Sequence, residues 1–128
     1  MPTRRQEKFA RLIKEIVSEV IRDDLSDPRI TGLVSVTRVD VSPDLRNADV
    51  FLSVFGGDEA SQRLTFTAIE HGRGRIQSAL ANEMDSKFCP TLHLKTDEVF
   101  KKTLETMALI DRAARELKEK EQKESEQD

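Results

Sequence analysis

Hydrophobic and polar positions follow a helical period over the first twenty-five residues. One apolar stripe recurs at spacings of three and four residues and comprises Phe9, Leu12, Ile13, Ile16, Val17, Val20 and Ile21. This spacing predicts an amphipathic helix over residues 4–25. Thr3 is predicted to cap its start. The helix is expected to end before Pro28, since the residue that precedes a proline disfavours the helical conformation.

A period of two replaces the helical period in the next two apolar segments. Residues 33–41 and 48–55 are rich in β-branched and aromatic side chains, which predicts two strands. In the first segment the apolar positions change parity after Val36, and a bulge or bend near Thr37–Arg38 would reconcile them. Turn-forming residues at 42–47 join the segments, so the two strands are predicted to form an antiparallel hairpin.

The rest of the chain predicts a helix, a break, a second helix, a short strand and a final helix. The first of these helices opens at Asp58, loses its apolar repeat at Gly72–Gly74 and resumes it at Ile76. A short apolar strand over residues 91–94 follows Pro90, and the chain is predicted to be helical again from Asp97. Two or three helices on one face of a three-stranded sheet would make an α+β domain.

Length and charge divide the chain into a body and a tail. A chain of 128 residues fits one domain, which we place at residues 1–110. Residues 1–95 carry 14 basic and 14 acidic side chains, whereas residues 96–128 carry 7 and 10 and so supply the whole net charge of -3. From about Arg115 core residues are absent, so residues 111–128 are predicted to be a charged extension that is helical and then disordered.

Two basic clusters are candidates for contact with a partner. Gly72 and Gly74 alternate with Arg73 and Arg75 in a stretch that has no carboxylate from His71 to Asn82. These residues could clamp a phosphate at the start of the second helix, or simply end the first helix with two solvated arginines. The second cluster, Arg4, Arg5, Lys8 and Arg11, crowds the first turns of a helix whose dipole prefers acids there. That inversion fits either a partner or a solvated face.

Patterns for catalysis, metal binding and membrane insertion are missing from the sequence. His71 and His93 are the only histidines, Cys89 is the only cysteine, and none has a neighbour at metal-ligand spacing. Nucleotide-binding and nucleophile motifs are also missing, so we expect neither an enzyme nor a cofactor. A single cysteine fits a reducing compartment. No apolar run approaches the roughly 20 residues of a membrane span, and we therefore expect a cytoplasmic protein.

The order of elements resembles a type II KH domain, an RNA-binding fold whose usual phosphate clamp is a GXXG loop. The frame "VTxVxVSxDLxxAxV" from Val36 to Val50 is similar to that of the ribosome-binding factor A family. That family places an Ala-x-Gly kink where the GXXG loop would be, and this chain has Gly72-Arg73-Gly74. The family's Pro-x-Leu strand appears as Pro90-Thr91-Leu92, and the resemblance covers residues 4 to 110. Two departures are Gly72 in place of the kink alanine and Gln77 in place of the family's basic residue.

The resemblance implies a non-catalytic maturation factor. Proteins of this family bind the immature small ribosomal subunit and its ribosomal RNA, assist 5′-end processing, matter most in the cold and are displaced by an assembly GTPase. A monomer is expected. The candidate RNA contacts are Arg4, Arg5, Lys8, Arg11, Arg38, Arg46, Gly72, Arg73, Gly74, Arg75 and Lys87. The alternative is a protein-docking module of the same fold, which would bind in a manner almost independent of salt, unlike a phosphate binder.

Overall fold

The computed structural model describes residues 2–84 and 89–126. Its elements are α1 (Arg4–Asp23), β1 (Leu33–Val41), β2 (Asn47–Phe55), α2 (Glu59–His71), α3 (Arg73–Glu83), β3 (Thr91–Thr96) and α4 (Glu98–Glu126). This order confirms the predicted α+β fold, including the break between α2 and α3. The chain divides into two compact units, Met1–Asp97 and Glu98–Asp128.

A capping box starts α1 and connects it to the sheet. The backbone amide of Gln6 donates to Thr3 Oγ1 at 3.2 Å, and the backbone amide of Thr3 donates to the side-chain oxygen Gln6 Oε1 at 2.7 Å. This arrangement satisfies amides that the first turn of a helix leaves without a partner. Gln6 Nε2 also donates to the carbonyl of Val41 at 2.8 Å. The beginning of α1 is therefore fixed beside the end of β1.

The sheet has the order β1-β2-β3, with an antiparallel β1–β2 pair and a parallel β2–β3 pair. The register of the first pair shifts between Val36 and Arg38, which confirms the predicted bulge. Thr37 is the extra residue, and its Oγ1 lies 2.6 Å from Asp97 Oδ2 and 3.2 Å from the carbonyl oxygen of Phe51. The bulge lets Val36 and Val39 both pack towards the core despite their opposite parity.

The hydrophobic core lies between the first three helices and one face of the sheet. Ile13 and Val17 from α1, Ile69 from α2, and Ile76 and Leu80 from α3 are all fully buried. The sheet contributes alternate residues of its strands, among them Val50 and Leu92, as expected for a sheet with one buried face. Burial of these side chains is the main stabilising contribution to the first unit.

A buried threonine attaches the α1–β1 connection to α2. Thr65 is fully buried, and its Oγ1 accepts a hydrogen bond from the amide of Thr31 at 3.2 Å. The same hydroxyl lies 3.1 Å from the carbonyl oxygen of Arg29. A buried hydroxyl with these partners holds a non-helical segment in one conformation. The connection is therefore fixed against the middle of α2.

The helix α4 is longer than the sequence predicted. We expected fraying from about Arg115, whereas the helix continues to Glu126. One charge pair at helical spacing lies where fraying was expected to begin: Arg115 Nη2 is 3.2 Å from Asp111 Oδ2. Such pairs stabilise a helix by about 0.2–0.5 kcal/mol each. Gln127 and Asp128 lie outside the described residues.

Candidate nucleic-acid interface

A single residue, Gly72, separates α2 from α3. Its amide donates to the carbonyl of Ile69 at 3.0 Å, and its carbonyl accepts from the amides of Arg75 and Ile76, both at 3.1 Å. Its φ of -87° is open to any residue. A Cβ at this position would lie 2.7 Å from Leu25 Cδ2. Close packing against the α1–β1 connection, and not a special backbone conformation, therefore explains this glycine.

Gly74 has a different environment. It is the second residue of α3, is exposed, and a Cβ built on it meets no atom within 4 Å. The fold therefore has no packing reason to keep a glycine here. The space above its backbone is open, so a molecule outside the chain could approach the backbone here.

Gly74→Ala is expected to raise the free energy of unfolding by about 0.5–1 kcal/mol, because alanine loses less conformational entropy than glycine in a helix. Urea denaturation followed by circular dichroism measures the change. Gly72→Ala is the matched control and should bring no such gain, since its methyl group would displace Leu25. A loss of stability in Gly74→Ala would show that the space beside this position is not open to a methyl group.

The kink arginines make contacts with the body of the protein. Arg73 Nη1 donates to the carbonyl of Leu92 at 2.9 Å, and Arg75 Nη1 donates to the carbonyl of Asp24 at 2.8 Å. Arg73 thereby ties α3 to β3, and Arg75 ties it to the residue after α1. Both side chains remain exposed, and a guanidinium carries five N–H donors, so each has donors left for a second partner. Their first role is to brace the kink.

Gln77 occupies the position where the family usually has a basic residue, and it binds the start of β3. Its Nε2 donates to the carbonyl of Pro90 at 2.8 Å and lies 3.3 Å from Cys89 Sγ, while its Oε1 accepts from the amide of Leu92 at 2.9 Å. Together with Arg73, it satisfies both backbone polar groups of Leu92 on the outer edge of the sheet. Sequence reasoning treated Gln77 only as a lost charge and missed this role.

A charged cluster that the sequence did not single out lies beside the kink. Arg29 donates to Asp27 through Nε at 3.1 Å and through Nη2 at 2.7 Å. Arg29 Nη2 also lies 3.0 Å from His71 Nδ1, so His71 accepts when its proton is on Nε2. The hydrogen bonds from the Arg29 side chain and backbone amide lower the pKa of Asp27 to about 2. A two-residue spacing between Asp27 and Arg29 was the only sequence signal for this pair.

Asp27→Asn is expected to change how stability responds to acid. The pKa of Asp27 is about 2 in the folded protein against an ordinary value of 3.8, so its contribution is complete above that ordinary value and is lost as the pH falls towards 2. The melting temperature of the wild type should therefore fall more steeply between roughly pH 4 and pH 2 than that of the variant. Parallel curves over this range would show that Asp27 does not contribute. Asp24→Asn is the control, since the Asp24 carboxylate is exposed and takes part in no ion pair within the described residues.

The α1 cations form a separate surface. Arg4, Arg5, Lys8 and Arg11 are exposed, and within the described residues none of them takes part in an ion pair or a side-chain hydrogen bond. They line an open groove of about 640 Å³ together with Phe9, Leu12 and Glu15. We call this surface, defined by those seven residues, the α1 groove.

The three other predicted RNA contacts lie apart from the kink. Arg38 sits 4.1 Å over the ring centroid of Phe51, with its Nε 3.2 Å from Asp40 Oδ2. Arg46 is exposed in the β1–β2 turn, and its amide donates to Asp44 Oδ1 at 3.1 Å. Lys87 lies outside the described residues. Of the three, Arg38 is already paired, and its guanidinium covers an aromatic ring.

The predicted contacts therefore divide between the two ends of α1. The first turn of α1 adjoins the end of β1 and the turn that carries Arg46, through the Gln6–Val41 hydrogen bond. The kink adjoins the other end of α1, through Arg75 and Asp24. A helix of 20 residues is about 30 Å long, so the two basic clusters that the sequence singled out lie on separate surfaces.

Within residues 2–84 and 89–126, no group of three or more His, Cys, Asp or Glu side chains is arranged to hold a metal ion. In the same part of the chain, no helix has both the length and the apolar character needed to cross a membrane.

Comparison with known proteins gives consistent matches. The family model for ribosome-binding factor A matches residues 5–110. Ribosome-binding factor A of Thermomicrobium roseum is 35% identical over 123 residues, which cover 96% of this chain and 91% of the relative. The crystal structure of ribosome-binding factor A from Thermus thermophilus shares the fold, with a TM-score of 0.60, 24% identity and coverage of 71% of this chain and 93% of that one.

A further match concerns a relative within a complex. It is a homology model of the Thermus thermophilus ribosome-binding factor A, fitted into a cryo-electron microscopy map of a 30S complex of that protein. Its TM-score to this chain is 0.52 at 26% identity, and the alignment covers 66% of this chain and 86% of that one.

Proposed function

The chain belongs to the ribosome-binding factor A family, and from this membership we propose that it binds the small ribosomal subunit as a non-catalytic maturation factor. The observation that carries the proposal is the family match over residues 5–110, together with a relative that has been fitted into a 30S complex. The finer steps of the proposal are action on the immature subunit in late assembly, help with 5′-end processing of its RNA, a larger role in the cold and displacement by an assembly GTPase. The protein would act as a cytoplasmic monomer without a cofactor.

The proposed contacts with ribosomal RNA come mainly from the α1 groove. Its four cations have no intramolecular partner in the described part of the chain, so their full charge is available to phosphates. The kink would add the exposed backbone at Gly74 and the remaining N–H groups of Arg73 and Arg75. Phosphate contacts of this kind position a protein on RNA without reading its sequence. Arg46 and Lys87 are further proposed contacts, within the RNA-binding domain that we assign to residues 1–110.

The proposal is tested by sedimentation of the purified protein with isolated small and large subunits over a series of salt concentrations. We expect pelleting with small subunits only, and a logarithm of affinity that falls linearly with the logarithm of salt concentration, by roughly 0.7–0.9 per phosphate contact. Selective pelleting that is insensitive to salt would favour the protein-docking alternative. Failure to pellet with either subunit would remove the ribosomal assignment.

A further inference from the structure

The α1 groove combines two features that phosphate binding alone does not need. Its rim carries Arg4, Arg5, Lys8 and Arg11, and its floor is formed by the partly buried apolar side chains Phe9 and Leu12. All seven lining residues belong to α1, so the groove is an open surface along one helix and not an enclosed cavity. Phe9 and Leu12 also pack against the core, and their remaining exposed parts place an apolar area directly beside the four cations.

We propose that the α1 groove binds an unpaired RNA nucleotide, with the base against Phe9 and Leu12 and the flanking phosphates on the four cations. This inference rests on the proposed function and names the form of RNA that its contact surface recognises. Every base has an apolar face and a phosphate beside it, which matches an apolar floor with a cationic rim. A base held within a duplex could not reach the floor, since both of its faces are stacked.

Charge and chemistry favour RNA over an acidic peptide in this groove. Three of the four cations are arginines, whose planar guanidinium binds phosphate in a bidentate manner and stacks on bases. Each kink arginine donates one hydrogen bond to a backbone carbonyl, whereas the α1 cations have no hydrogen-bond or ion-pair partner among the described residues. Glu15 lies four residues beyond Arg11, and its negative charge would repel phosphate at that end of the groove.

The test measures fluorescence anisotropy of the full-length protein with two labelled probes of equal charge. One is a ten-residue oligouridylate, and the other is an abasic oligomer of the same length. We expect the wild type to bind the base-carrying probe at least about tenfold more tightly, the size expected from stacking of a base on an aromatic side chain. Phe9→Leu keeps an apolar floor but removes the ring, and should reduce this preference to within about twofold while leaving the affinity for the abasic probe unchanged. Lys8→Ala/Arg11→Ala should weaken both probes by the same factor.

The result does not depend on whether Phe9→Leu folds. Crosslinking of the wild type to an oligomer that carries 4-thiouridine, followed by mass spectrometry, should place the base on residues 5–12. Equal affinity for the two wild-type probes, or a crosslink outside α1, would overturn the inference. Tighter binding of a labelled decaglutamate would overturn it in favour of an acidic peptide. Salt-sensitive pelleting with small subunits in the absence of base discrimination would leave the proposed function standing and remove only this inference.

Discussion

Gln77→Ala is expected to lower the free energy of unfolding by about 2–4 kcal/mol. The substitution removes the acceptor of the Leu92 amide and the donor to the Pro90 carbonyl, which lie 2.9 and 2.8 Å from the Gln77 side chain. Both Leu92 and Pro90 are fully buried, so water cannot readily replace the lost partner. A buried polar group left without its partner costs about 1–3 kcal/mol, and this single change leaves two such groups without a partner. Urea denaturation with circular dichroism measures the effect.

Comparison of variants at this site separates the two hydrogen bonds. Gln77→Lys restores the basic residue usual in the family and can still donate to Pro90, but it cannot accept from Leu92, so its stability should lie between those of the wild type and Gln77→Ala. Ser78→Ala is the control on the same helix, because Ser78 is exposed, and a change within about 0.5 kcal/mol is expected there. Equal stabilities of Gln77→Ala and Ser78→Ala would show that the contact with β3 is not structural.

Local patterns were sufficient to predict the fold. The helical stripe of α1, the parity change at Val36 and the loss of the apolar repeat at Gly72 each follow from a repeat that backbone geometry imposes on neighbouring residues. The structure has the corresponding helix, bulge and break. The extent of α4 was not predicted, because a charged segment without core residues can be either a solvated helix or a disordered tail, and the balance depends on weak side-chain pairs.

The candidate site was harder to predict, because it depends on contacts between residues far apart in the chain. Arg73 pairs with a carbonyl 19 residues away, and Arg75 with one 51 residues away. No local pattern reports such partners, so on sequence alone these arginines stood as open candidates for RNA contact. The two glycines looked equivalent for the same reason, although only Gly72 faces a neighbouring side chain. The sequence does show where charges cluster, and the cationic cluster predicted on α1 is exposed in the structure.

The structure therefore predicts which cations matter for binding. Replacement of the α1 set (Arg4→Ala, Arg5→Ala, Lys8→Ala and Arg11→Ala together) is expected to weaken binding to small subunits by at least roughly 100-fold near physiological salt. The slope of log affinity against log salt should fall by about 3, since each lost phosphate contact removes roughly 0.7–0.9. The fold should survive, because all four side chains are exposed and the Thr3–Gln6 capping box remains. Sedimentation with small subunits across a salt series measures both quantities.

Two comparisons decide how this result is interpreted. Replacement of Arg112, Lys118, Lys120 and Lys123 by alanine changes the net charge by the same amount from a different helix, and it should leave affinity within about threefold if position and not total charge controls binding. Arg73→Ala/Arg75→Ala should lower stability, because it removes hydrogen bonds to Leu92 and Asp24, and should weaken binding less than the α1 set does. If the α4 set weakens binding as much as the α1 set, only the overall charge matters. If the kink pair has the larger effect, the RNA lies across the kink, and the α1 cations form an ordinary solvated face.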